Sequence, residues 1–402
     1  MTYYNTILLP ILYCFITMCL AIQGTGNIYI QSIRVIMTMA LCGTLFGVRI
    51  RLPKDFGYIA WSILFLIYIY CGLYYAYDKV LSTKYFFATF YVFVINILLY
   101  WYIQINNKVL KHIEAALVVG TTITALFNYL YYGPLVFIYS RYGFTISDDL
   151  INSNALGICL AVSTMIIFRE YIFQKNNYTN TFKNYIFKTL ICMNVLFIVL
   201  TGSKKALAFT FIPLCVYILF KEENKIKLML KSIGIVVAFI AFIFLLLNID
   251  FLYQIIGYRI EGLINGFLGV GEMDGSTLTR FELIDFGIRS FVESPLFGYG
   301  LNGFAALRGA AGRWAVYAHN NYIELLCDTG LIGTFIYYFM HAYCISRYIK
   351  YRKYLNENNI IHFGVLISVL LCDYGMVSYY DVFMQLTLLL IYVDCRSIVL
   401  KI

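Results

Sequence analysis

Between Arg280 and Gly333 the chain gathers the side chains that can do chemistry: Arg280, Arg289, Arg308 and Arg313, with Glu282, Asp285, Glu293 and His319. His319 stands just before a helix expected to start at Asn320 or Asn321. A helix start presents unpaired N–H groups and the positive end of the helix dipole, which suits a phosphate. The same field works against a second positive charge and favours a neutral imidazole, the form that takes a proton from a hydroxyl. The plainer reading of His319 is a structural histidine hydrogen-bonded at the helix start. Asn321 and Glu324 have capping-box spacing, so Glu324 reads as a cap or as a substrate contact. Guanidinium groups hold a phosphate by paired hydrogen bonds, so the four arginines are candidates for one. Arg308 and Arg313 lie in a Gly-Ala-rich stretch. The plainer reading of all four is solvated charge paired with Glu282, Asp285 or Glu293.

Smaller polar groups lie elsewhere. Thr201-Gly-Ser-Lys-Lys-Ala-Leu207 interrupts two apolar runs. There Lys204 can attract a phosphate, or snorkel toward lipid headgroups with Lys205. Ser140-Arg-Tyr-Gly143 precedes Asn152-Ser-Asn-Ala-Leu-Gly157. Asn152 and Asn154 read as helix caps and Arg141 as a second phosphate or glycan contact. Arg34 falls inside an apolar run, and its role stays open.

The elements that must position these groups are membrane helices. Of 402 residues, 61% are hydrophobic and 13% charged, where soluble domains carry about 25%. A span needs about 20 largely apolar residues. Twelve candidates lie near 6–22, 30–48, 57–77, 85–105, 113–132, 155–173, 185–201, 206–220, 232–248, 321–345, 359–376 and 379–395. The expectation is an all-α integral membrane protein of about twelve transmembrane helices with one large external loop between the ninth and tenth. Residues 1–248 carry helices one to nine, 249–320 the loop, and 321–402 the last three helices. A short helix is expected at Asp285–Val292, and Gly298, Gly300, Gly303, Gly309 and Gly312 are expected to break regularity. Met1–Asn5 carries no Lys or Arg, so the first segment reads as an uncleaved span rather than a secretory signal.

Orientation follows the basic residues. Arg49, Arg51 and Lys54; Lys108 and Lys111; Arg169, Lys175, Lys183 and Lys188; Lys221, Lys225, Lys227 and Lys231; Arg347, Lys350, Arg352 and Lys353; and Arg396 and Lys401 all fall in connections on one side. That side is the cytoplasm, with both termini in it, and the long loop is outside. The net charge of +9 is therefore a topology signature, not a nucleic-acid footprint. The eleven cysteines are dispersed, and the four histidines are scattered. No metal site, phosphate-binding P-loop, HExxH or GxSxG motif is present, so no cofactor is expected.

The patterns Arg280…Pro295-Leu-Phe-Gly-Tyr-Gly300…His319-Asn-Asn-Tyr-Ile-Glu324…Gly330-Leu-Ile-Gly333 resemble the signature region of the O-antigen polymerase and ligase superfamily. Weaker echoes lie at Asn152–Gly157 and at Thr201–Leu207, where the family usually has arginine at the position of Lys204. The resemblance implies a metal-independent glycosyltransferase in a bacterial cytoplasmic membrane. Its donor would be a glycan on undecaprenyl pyrophosphate. His319 and Arg280 would be catalytic; Lys204, Arg289, Arg141, Asn320 and Glu324 would bind substrate. Membrane lipids, a chain-length regulator and a flippase would be partners. A polysaccharide polymerase for O-antigen or capsule is favoured, with an O-antigen ligase or O-oligosaccharyltransferase as the alternative. A lipid or solute transporter fits less well, because polar groups concentrate in one loop rather than at the midplane.

Overall fold

The computed structural model describes residues 2–20, 28–47, 53, 55–132, 153–177, 181–268 and 275–399. Among them every regular element is helical. The main helices are α1 Thr2–Leu20, α2 Ile28–Gly47, α3 Gly57–Gly72, α4 Lys79–Ile105, α5 Lys108–Tyr132, α6 Ser153–Asn177, α7 Thr181–Leu200, α8 Lys204–Phe220 and α9 Lys225–Asn248. Then come α10 Tyr258–Leu268, α11 Gly275–Glu293, α12 Gly303–Ala310, α13 Asn321–Lys350, α14 Glu357–Asp373 and α15 Val382–Val399. Each of the twelve apolar runs overlaps one of these helices. Among the described residues six helices are long and apolar enough to cross a membrane, within α4, α5, α6, α7, α9 and α13. Only 6% of the most apolar window of α9 is buried within the protein. A helix apolar on every side and unburied is what lipid contact requires.

The chain divides into two compact units. The first comprises Met1–Leu52, Trp101–Gly269 and Leu355–Ser368. Within it α5 packs against α1 and α6, and α6 against α7 and α8. A buried ion pair joins α5 to α6: Arg169 donates to both Glu114 carboxylate oxygens, at 2.6 and 2.5 Å. Gly157 lets α6 approach α8, since a Cβ there would lie 2.7 Å from that of Ala206.

The second unit comprises Pro53–Tyr100, Val270–Tyr354 and Val369–Ile402. Here α13 is the central post, packed by α3, α11, α12 and α15. From α3, Trp61 Nε1 donates to the Ile336 carbonyl at 2.8 Å and Tyr68 Oη to that of Thr329 at 2.7 Å. The helix expected at Asp285–Val292 is there, inside the longer α11. Gly303 and Gly309 do not interrupt structure as expected. Both lie within α12, where the N–H groups of its first turn find a partner described below.

Candidate active site

The second unit's site starts from a break in α13. At Gly330 the backbone leaves helical geometry, with φ 64° and ψ −169°. A break in an i→i−4 ladder leaves N–H and C=O groups unpaired, and buried ones must find partners. The segment Pro295–Gly300 supplies them. Tyr299 N–H donates to the Cys327 carbonyl at 3.0 Å, and Gly300 N–H to that of Asp328 at 2.8 Å. In return Leu331 N–H donates to the Pro295 carbonyl at 2.8 Å and Ile332 N–H to that of Leu296 at 3.4 Å. The two short motifs of the sequence are thus halves of one backbone junction. A Cβ at Gly330 would collide with the Leu296 carbonyl, and one at Gly298 would lie 2.5 Å from that of Cys327. From the α3–α4 connection, Tyr77 N–H donates to the Tyr299 carbonyl at 2.8 Å, and from the first turn of α4 Ser82 Oγ donates to that of Leu301 at 2.7 Å.

Asp328, wholly buried, fastens the next element. The N-cap of α12 is Asn302, at φ 58° and with no side-chain cap of its own. The Asp328 carboxylate takes its place, accepting from Asn302 N–H at 2.7 Å and Phe304 N–H at 2.9 Å. A carboxylate at a helix start satisfies unpaired donors and meets the positive dipole end. Tyr379 Oη also donates to it, at 3.3 Å.

On this frame α11 is set by its buried face. Arg280, Leu283, Gly287 and Ser290 recur at helical spacing; Leu283, Gly287 and Ser290 are buried and Arg280 half-buried. Gly287 is the crossing point, where a Cβ would overlap Ile323 of α13. Leu283, Phe304, Ala318, Ile323 and Cys327 form the core around it. Arg280, two turns before Gly287, therefore lies along the packing face near the start of α13. Arg289 is nine residues on, about 180° around the helix at about 100° per residue. It is exposed and paired to Asp285 at 2.7 Å, the plainer reading of that residue.

The segment Tyr317-Ala-His319 reaches α13 in a reversed turn. His319 has φ 52°, a left-handed conformation that costs a side-chain-bearing residue about 1–2 kcal/mol. Its ring lies on that of Tyr317, centroids 4.0 Å apart. Glu324, buried, accepts from Ala318 N–H at 2.5 Å and so holds the turn from within α13. It does not form the expected capping box with Asn321. The cap is Asn320, whose side chain accepts from Tyr322 N–H at 3.0 Å and Ile323 N–H at 3.1 Å. The Asn321 oxygen instead accepts from Ser378 N–H at 2.9 Å and Tyr379 N–H at 3.2 Å, tying down the α14–α15 connection. Burial raises the Tyr317 hydroxyl above its ordinary pKa; Glu324 adds to this and Arg280 opposes it. Tyr317 thus stays protonated beside the His319 ring. The rings of Tyr85 and Tyr380 meet edge-on at 5.7 Å. The start of α13 thus carries His319 against Tyr317, with the buried Glu324 carboxylate holding the turn. Among the described residues Arg280 forms no ion pair.

Lys204 belongs to the first unit, at the start of α8. Ser203 caps that helix, accepting from Ala206 N–H at 3.3 Å. Lys204 Nζ donates to the Arg259 carbonyl at 3.0 Å, while Arg259 Nη1 donates to that of Gly202 at 2.9 Å. Arg259 is thus a second cation beside Lys204. Asn154 lies inside the first turn of α6 rather than capping it, and accepts from Ser203 Oγ at 2.8 Å. Arg141 and Asn152 lie outside the described residues, and Arg34 is on α2.

Sequence reasoning missed Tyr317, Asp328, Tyr85, Tyr380 and Arg259. Tyr317 stands two residues before His319, and Asp328 is an acidic residue in an apolar helix; either was a usable signal. Nothing in the local pattern distinguishes Tyr85 or Tyr380 from the chain's 38 tyrosines. Among the described residues, no group of three His, Cys, Asp or Glu is placed to hold a metal ion.

No curated protein matches the chain. Residues 189–338 match the family described as O-antigen ligase, a span containing Lys204, Arg280, His319 and the Gly330 junction. Together with the apolar helices this makes the chain a multi-pass membrane protein. It carries a domain of the O-antigen ligase and polymerase superfamily, whose members are glycosyltransferase-like enzymes acting on polyprenyl-linked glycans.

Proposed function

We propose that this chain is a polysaccharide polymerase, joining lipid-linked repeat units on the outer face of a bacterial cytoplasmic membrane. The donor is a growing glycan on undecaprenyl pyrophosphate, and the acceptor is a terminal hydroxyl of another lipid-linked unit. The observation that carries the reading is the His319 ring set against Tyr317 at the start of α13, with Arg280 on the face that α11 packs toward it, within the O-antigen ligase domain. His319 takes the acceptor's proton as the hydroxyl oxygen bonds to the anomeric carbon. The bond from that carbon to the pyrophosphate oxygen breaks, and the electron pair leaves with the pyrophosphate. Arg280 holds the charge that develops there, which is where fixed cations lower a barrier most. Tyr317 keeps the imidazole ring in place. A single in-line displacement inverts the anomeric centre. The donor is already activated, so the chemistry needs no metal.

Topology supports the same side. Both termini are cytoplasmic and 249–320 is external, with 1–248 and 321–402 carrying the spans on either side. Lys204 with Arg259, and Arg141, are secondary phosphate or glycan contacts, while Arg289 stays paired to Asp285 on the solvent side. Asn320 and Glu324 serve the site through the turn they hold. A chain-length regulator and a flippase are the expected partners.

Gene deletion with analysis of the surface glycan tests the proposal. A polymerase leaves single repeat units on lipid A-core, or loss of high-molecular-weight capsule. Long polymer accumulating on the undecaprenyl carrier beside bare lipid A-core would point to a ligase instead.

A further inference from the structure

Away from His319, α11 and α12 enclose a second cationic site. Arg308 is only 7% exposed. Its Nε donates to the Trp314 carbonyl at 3.2 Å, while its Nη1 is buried and has no partner. A buried, charged N–H left unpaired is costly and is satisfied by an incoming acceptor. The Arg308 guanidinium lies 5.4 Å from the centre of the Phe286 ring, and that of Arg313 lies 5.8 Å from the same ring. Phe286 is itself held edge-on by Phe304 at 5.6 Å. Two like charges thus share one aromatic ring. Burial and then Arg313 draw the Arg308 guanidinium below its ordinary range, and only Glu282 acts the other way. Among the described residues neither arginine forms an ion pair. Beside them Trp314 is 87% exposed, a flat apolar face of the kind on which a sugar ring stacks.

We propose that Arg308, Arg313 and Trp314 form a subsite for an acidic sugar of the glycan. The guanidinium groups take its oxyanion, a carboxylate or a phosphate ester, and the indole carries its ring. The proposal rests on the reading of the chain as a glycan transferase. An anionic membrane surface would also attract arginine, but the unpaired Nη1 is enclosed by protein. A bilayer surface does not reach it, whereas Arg313 and Trp314 beside it are exposed to a glycan. Through this subsite the enzyme selects repeat units by charge, a role separate from bond formation at His319.

The test is binding by the purified full-length chain in phosphatidylcholine nanodiscs. The probes are oligosaccharide fragments of the surface polysaccharide of the cells that carry the chain. They are used native, after carbodiimide reduction of carboxylates to alcohols, and after hydrofluoric acid removal of phosphate esters. One neutralising treatment should weaken binding roughly tenfold, and which one identifies the oxyanion. Arg313→Gln and Trp314→Ala, both at exposed positions, should weaken binding of the native fragments to a similar degree. Arg308→Gln should do so most, provided it folds. A polysaccharide with no acidic group, or equal binding of native and neutralised fragments, overturns the proposal. So does an effect of Arg313→Gln confined to phosphatidylglycerol vesicles, which would assign the site to the membrane. Failure of the transferase reading looks different: gene deletion would leave the polymer unchanged, whatever the fragments do.

Discussion

His319→Gly separates catalysis from structure better than the usual alanine. At φ 52° histidine carries left-handed strain of about 1–2 kcal/mol that glycine lacks. The variant loses the ring contact with Tyr317 at 4.0 Å, worth about 0.5–1.5 kcal/mol. It also frees the unfolded chain, which costs about 0.5–1 kcal/mol. These terms nearly cancel, so His319→Gly should unfold within about 1 kcal/mol of the parent. Alanine keeps the strain and loses the contact, and should be the less stable of the two. A lost general base slows transfer by about 10²–10⁴-fold, about 3–5 kcal/mol of barrier at about 1.4 kcal/mol per decade. Thermal unfolding in detergent and single-turnover transfer on the same preparation read both quantities. Parent-like transfer by a stable His319→Gly protein would remove the catalytic role. Destabilisation beyond about 3 kcal/mol would make the residue structural.

Arg280→Ala should reduce transfer by about 10²–10³-fold, the scale of losing one preorganised charge donor, with Arg280→Lys recovering part. Arg289→Ala removes only an exposed ion pair with Asp285, worth about 0.3–0.5 kcal/mol, and should leave transfer within about twofold; equal losses at both positions would refute the assignment by helix face. Asp328→Asn weakens the tie to the start of α12 and should cost about 1.5–3 kcal/mol of stability, read by thermal unfolding. Gly330→Ala places a Cβ against the Leu296 carbonyl and should leave little folded protein in the membrane fraction; normal abundance would refute the junction. A cysteine introduced after Gly275 should react with an impermeant maleimide in intact cells, and labelling only after permeabilisation would reverse the topology.

Much of the helical layout was legible because an apolar run long enough to span must be helical in lipid, whatever its neighbours. Arg280 stood out through the resemblance and not through spacing, although its spacing to Leu283 and Gly287 puts it on the face that α11 buries. Arg289 sat half a turn round on the solvent side, and that distinction too was available from the spacing. The junction at Gly330 was not. Its donors and acceptors come from segments about thirty residues apart, and a glycine in an apolar run reads as helix. Gly303 and Gly309 misled for the converse reason. Their helix is held by the Asp328 side chain from another element, which no local pattern records. Glu324 had capping-box spacing from Asn321, but the chain turned one residue earlier, and its carboxylate went to Ala318. Residues such as Tyr85 and Tyr380 matter only through the fold that brings them together.

The most direct measurement is reconstitution. The purified chain in liposomes is supplied with lipid-linked repeat units alone, and the products are resolved by gel. The account predicts a ladder of lengthening glycans on the polyprenyl carrier, absent with His319→Gly and with Arg280→Ala. Repeat units left unjoined until lipid A-core is added, and then moved to it singly, would contradict it.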